Sequence, residues 1–138
     1  MKLESANLGM AAAYAKAKEL EMRGIAVAIV DTAGVMVAFQ RASGMPALPA
    51  IVAEAKAATS ALAGAPTAQL AAVEERWPLL TGPVEARLHG RFTRYAGGQP
   101  IKAGPHLIGA IGVSGGTPEQ DDIVALHAAA AIAEAEAA

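Results

Sequence analysis

The sequence predicts a single α/β domain whose helices pack on a sheet containing an antiparallel hairpin. Three observations carry that prediction. Alanine-rich segments of helical composition alternate with short β-rich runs. Two of those runs, Ile25 to Val30 and Val35 to Arg41, bound the short Asp31-Thr32-Ala33-Gly34 turn, the pattern of a hairpin. At 138 residues the chain suits one core, whereas two domains would each be too small, so residues 1–138 are read as one domain.

From Ser5 to Met22 the chain is rich in alanine, with Lys16, Lys18, Glu19 and Glu21 spaced through it, and Gly24 stands as the expected C′ residue of a first helix. Ile25 to Val30 is apolar on both alternating faces, which predicts a strand covered on two sides. After the hairpin, Ala42 to Pro49 contains a glycine and two prolines and reads as a loop. Ala50 to Leu62 returns to helical composition, with Ile51, Ala55, Ala58 and Leu62 on one face, and Gly64-Ala65-Pro66 ends it. Thr67 precedes a second short helical run through Glu75, which Trp77-Pro78 stops because proline cannot donate a backbone hydrogen bond. Leu79 to Lys102 mixes glycines, prolines and cations and reads as irregular with short strands. Leu107 to Ser114 is a strand in which Gly109, Ala110 and Gly112 mark close backbone approach. Gly115-Gly116 then turns the chain into a last helix from Pro118 to Ala135. Thr117 and Gln120 form a capping-box pattern there, and Pro118 stands at N1, where its missing donor costs nothing.

Composition narrows the function. Hydrophobic residues make up 54% of the chain but aromatic residues only 4%, so alanine supplies much of the apolar content. Each such residue contributes little at about 25 cal/mol per Å² buried. Burial between subunits would make up the difference, and a homo-oligomer is expected. A net charge of −2 with scattered lysine and arginine lacks the basic footprint of a nucleic-acid-binding protein. The absence of cysteine excludes disulfides, thiolate nucleophiles and cysteine metal sites. Met1-Lys2-Leu3-Glu4-Ser5 lacks a signal-peptide pattern and no apolar run is long enough to span a bilayer, so a cytoplasmic protein without a membrane partner is expected.

The run Ile108-Gly109-Ala110-Ile111-Gly112-Val113-Ser114-Gly115-Gly116-Thr117-Pro118-Glu119-Gln120-Asp121 resembles the signature of the GlcG/HbpS-like family, which includes the C-terminal domain of PduO-type proteins. Val27 to Asp31 with Gly34 and Arg41, Lys56 to Thr59 with Pro66-Thr67, and Gly97 to Ile101 agree in the same order, so the resemblance spans nearly the whole chain. It implies a mostly antiparallel sheet of about five strands flanked by helices, assembled into oligomers from dimers to octamers around small-molecule pockets. Haem is the cofactor the resemblance brings into view. The first helix has no histidine of the kind that ligates haem in PduO-type relatives, and no Glu-x-x-Glu pair is present for an HbpS-type iron site.

Arg87, His89, Arg91, Arg94, Tyr95, Lys102 and His106 form the densest group of donors in the chain. Arg87, His89 and Arg91 alternate with Leu88, Gly90 and Phe92, and in an extended strand they would share one face. Such a face binds a carboxylate through forked guanidinium bonds, while His89 exchanges a proton near neutral pH. The bland alternative is a solvated cationic face that pairs with acidic residues of neighbouring subunits. Arg87, Arg91 and Arg94 are therefore candidate ligand-binding residues, with Arg41 and Lys56, which match positions the resemblance implies are basic, and the candidate acid/base residues are His89 and His106. Arg41 ends a strand beside a loop; Lys56 is an exposed helix residue or a pocket cation. His106 follows Gly104-Pro105 in a turn and reads as an exposed loop residue or one that reaches a pocket. His127 lies in the last helix and reads as a packing or interface residue. None of the three histidines has a metal-ligating partner nearby in sequence, so no metal site is expected. Asp31 reads as a turn residue bonding backbone, and Gly115-Gly116-Thr117 as a tight turn before a capped helix rather than a phosphate cradle, since Glu119, Asp121 and Asp122 would repel a phosphate. Two functional classes follow: a protein binding an anionic small molecule, haem-type or a small carboxylate, at a subunit boundary, or a cofactor-free enzyme on a small carboxylate. A purely structural accessory is the third.

Overall fold

The computed structural model describes residues 1–138 as a three-layer arrangement of α1 (Leu3–Glu19), β1 (Ala26–Val30), β2 (Met36–Arg41), α2 (Ala47–Ala63), α3 (Leu70–Arg76), α4 (Thr81–Leu88), β3 (Gly98–Ala103), β4 (His106–Ser114) and α5 (Pro118–Ala137). The strands form one antiparallel sheet in the order β2-β1-β4-β3. It has four strands rather than about five, because the stretch expected to add short strands folds instead as α4 and a loop before β3.

The two-sided burial of β1 follows from its apolar alternation. Val27 and Ile29 face α1 and α5 with Ile111 and Val113, and the opposite face presents Ala26, Ala28, Val30 and Ala110 to Ala53, Ala57 and Ala61 of α2. The second interface is built of small side chains, so the backbones come close. A Cβ at Gly112 would overlap the Ala53 carbonyl and the Ala57 amide. Pro100 sits in β3, an edge strand, where its missing donor breaks no interior ladder.

Helix ends explain most boundary differences. α1 stops at Glu19 rather than Met22: the Met22 amide donates to the Ala17 carbonyl and the Glu21 amide to Lys18, with Glu21 at φ 58°. This is a Schellman closure with glutamate in the place normally taken by glycine, so Gly24 is not the C′ residue. The hairpin, the stop at Trp77-Pro78 and the capping box of α5 are as expected, Gln120 N donating to Thr117 Oγ1 at 3.2 Å. The face of α2 singled out in the sequence is not its core face. Of that face Ala58 is fully buried, but Ile51 and Leu62 are exposed, and the helix otherwise buries Ala53, Lys56, Ala57, Thr59, Ser60 and Ala61. No helix is long and apolar enough to cross a membrane.

Candidate functional site

Two chain reversals build the candidate site. In the first, Asp31 Oδ1 accepts from the amides of Ala33 at 2.8 Å and Val35 at 3.0 Å, which fixes the β1–β2 turn. Gly34, at φ 79°, is buried in that turn against Ala58 of α2. The second lies at the end of α4, where His89 (φ 54°) and Gly90 (φ 83°) are consecutive left-handed residues and reverse the chain immediately after Leu88. Positive φ is costly for a residue with a Cβ, and the surrounding bonds must hold it. Arg91 does so. Its Nε donates to the Leu88 carbonyl at 3.0 Å and its Nη1 to the Gly34 carbonyl at 3.1 Å, joining the two reversals, with Glu54 3.6 Å away. Thr59 completes the anchorage from α2, donating to the Arg91 carbonyl and accepting from the Thr93 amide.

Between the two reversals lies a cavity of about 150 Å³ lined by Thr32, Ala33 and Gly34 of the turn, Ala58 and Leu62 of α2, and Arg87, Leu88, His89 and Arg91. The cluster Arg87, His89 and Arg91 expected from sequence is thus brought together, though by a different route. These residues lie in the last turn and the left-handed cap of a helix, not on one face of a strand. Guanidinium and imidazole groups facing a partly enclosed space attract a carboxylate, and Arg87 and His89 are exposed while Arg91 is half-committed to carbonyls. The turn residues and Leu62 were not singled out in the sequence as lining anything. The turn itself was legible there, but nothing local signals that it meets residues some fifty positions later.

The other candidates lie elsewhere. Lys56 is neither an exposed helix residue nor a lining residue of the cavity: 2% exposed, it donates to the Val113 carbonyl at 2.9 Å and to Asp121 Oδ2 at 3.0 Å. Asp121 in turn accepts from the Gly116 amide at 2.9 Å, so the ion pair ties α2 to the β4–α5 turn. Arg94 is paired with Glu74 and lies over the Phe92 ring. Arg41 is exposed at the end of β2, and His106 is exposed at the β3–β4 turn; neither lines the cavity. His127 is exposed on α5. No group of three or more His, Cys, Asp or Glu side chains is placed to hold a metal ion. Two ionisable groups are displaced from their ordinary range, and neither lines the cavity. Burial pushes up the Tyr14 phenol, which donates to the Ile25 carbonyl, and the Lys2 amide with the Ser5 hydroxyl pulls the Glu136 carboxyl down.

Comparison with known proteins agrees with the fold. The family described as haem degrading protein HbpS-like matches residues 1–130. Among solved structures, a PduOC:haem complex is 29% identical with a TM-score of 0.82, covering 95% of this chain and 94% of that one. Klebsiella pneumoniae ORFY is 26% identical with a TM-score of 0.85, covering 96% and 90%. A double mutant of Streptomyces reticuli HbpS is 27% identical with a TM-score of 0.81, covering 94% and 85%. No curated protein sequence matches the chain.

Proposed function

Because this chain belongs to the HbpS-like family, we propose that it is a small-molecule-binding protein that receives a carboxylate of its ligand in the Arg87–His89–Arg91 cavity, with haem the first candidate ligand. The observation that carries the reading is the convergence of these three donors on one partly enclosed space between two structured reversals. A dry cavity of about 150 Å³ holds one benzene ring. The space therefore admits a propionate arm or a small carboxylate, and a macrocycle would lie outside it, against the exposed Leu62. In that arrangement Arg87 and Arg91 would bind the carboxylate, and the exposed His89 would be the imidazole offered to iron. Bound haem would supply redox and oxygen chemistry there. The chain's own residues bind and orient.

We place the mouth of this cavity at a boundary between copies of the chain. Leu48 and Ile51 on α2, Leu62 beside the cavity, and Trp77, Leu79 and Leu80 are all exposed in a single chain. Leu62 and Leu80 line one space together, and exposed apolar side chains beside a cavity suit a contact between copies. A second reading, a cofactor-free enzyme acting on a small carboxylate, is favoured by the small size of the cavity; in it His89 is the acid/base beside the anchoring arginines.

Haemin titration followed by the Soret band tests the first reading. Charge-assisted hydrogen bonds are worth about 1.5–3 kcal/mol, so Arg87→Gln should weaken binding roughly 10- to 150-fold. His89→Ala should alter the band, and His106→Ala should leave it unchanged. Absence of binding by haemin and by simple carboxylates alike would overturn the reading. Turnover of a small carboxylate lost in His89→Ala with the fold intact would favour the enzyme.

A further inference from the structure

Beside the cationic cavity lies a second, half-open space of about 270 Å³, set between α2 and the excursion formed by α3 and α4 and walled chiefly by Leu62, Leu70, Val73, Leu80, Val84 and Phe92. The two spaces are neighbours. Leu62 lines both. Ala58 and Thr59, consecutive on α2, line one each; so do Leu88 and Val84, one turn apart on α4, and Arg91 and Phe92, consecutive after it. The compartments are therefore adjacent, with Leu62 common to both, one cationic and the other apolar.

We propose that the two compartments form one bipartite site for a compact carboxylate bearing a single ring or a branched alkyl group. The carboxylate sits among Arg87, His89 and Arg91, and the apolar group lies beneath the α3–α4 excursion. The proposal rests on the carboxylate reading of the cavity and names the class of ligand it takes. Room is sufficient: a ring fills about 150 Å³ of dry cavity, which leaves the apolar compartment space for a short tether. Water gains little against this lining, which offers it few polar partners. The lining offers Thr59 and Gln69, and the Thr59 hydroxyl is already engaged by the Arg91 carbonyl and the Thr93 amide. The excursion packs chiefly on its own short helices and is held by Thr67 to Gly98 at one end, by Glu74 of α3 to Arg94, and by Arg91 behind the left-handed His89-Gly90 pair at the other end.

Calorimetric titration of the intact chain with 3-phenylpropionate and with propionate separates the two compartments. Phenylpropionate should bind at least about tenfold more tightly, since burying a ring is worth more than the roughly 1.4 kcal/mol that a factor of ten requires. Val84→Trp narrows the apolar compartment from α4 and Leu70→Trp from α3, and the two together leave too little room for a ring. The double variant, checked for an unchanged melting profile, should reduce phenylpropionate to the affinity of propionate without altering propionate itself. Equal affinity of the two acids in the unaltered protein would overturn the bipartite site while leaving the carboxylate reading standing, as would a phenylpropionate preference untouched by the double variant. Binding of neither acid would overturn the carboxylate reading itself, and the proposal with it.

Discussion

Removing one member of the Lys56–Asp121 pair should destabilise the fold far more than removing both. The side chains are 2% and 3% exposed and 3.0 Å apart, so the pair is not of the surface kind worth about 0–1 kcal/mol. Lys56→Met leaves the Asp121 carboxylate buried with only the Gly116 amide for company and strips the Val113 carbonyl of its donor. Breaking a buried pair in this way costs about 3–5 kcal/mol. With an unfolding entropy of about 2.1 cal/mol/K per residue over 138 residues, that lowers Tm by roughly 10–17 °C. Asp121→Asn should cost a similar amount. The double variant removes both charges while Asn keeps an acceptor for Gly116, and it should recover about 1–3 kcal/mol of the two losses taken together. The assay is thermal and urea unfolding of all four proteins at one protein concentration, because self-association would otherwise shift Tm. Single-variant losses below about 1 kcal/mol, or strict additivity, would refute the reasoning and return Lys56 to the pool of free cations.

Gly112→Ala should cost about 1–3 kcal/mol in urea unfolding, because the added methyl meets the backbone of α2 rather than a side chain that can move aside. Thr117→Ala removes the cap of α5 and should cost about 1 kcal/mol, read as an earlier melt with the first turn of the helix losing hydrogen-exchange protection. Glu136, whose Oε1 accepts from the Lys2 amide at 2.6 Å, caps α1 from the far end of the chain. Its folded pKa lies below the ordinary value, so its stabilisation is present above the unfolded pKa and is lost as pH falls through the folded one. A carboxyl NMR titration of Glu136 with a midpoint at or above the usual value of about 4.3 would contradict this.

The fold was largely legible because its signals are local. An apolar run at β1, an Asp-to-Gly turn, a proline after Trp77 and a Thr-to-Gln cap each act on the residues beside them, and each element stands where those signals put it. The misreadings share one cause, a local pattern decided by something distant. Gly24 was eligible to close α1, but the Ala17 carbonyl was taken by Met22 with Glu21 accepting the left-handed conformation. The alternation of Arg87, His89 and Arg91 fits a strand as well as it fits the end of a helix; the structure resolves it as a helix end, with a left-handed cap anchored by the Gly34 carbonyl far away in sequence.

The sequence by itself determined the alternation of helix and strand, the hairpin, the capped last helix and the presence of an unusually dense stretch of donors, since backbone preference and apolar period are written residue by residue. Which of those donors share a space was decided only by tertiary packing. The buried Asp121 takes Lys56, Glu74 takes Arg94, the end of edge strand β2 carries Arg41 away and the β3–β4 turn carries His106, leaving Arg87, His89 and Arg91 beside the β1–β2 turn. A cation's partner is whatever opposite charge or carbonyl the folded chain sets within about 3–4 Å of it, and that distance is a property of the packed layers rather than of neighbours in sequence.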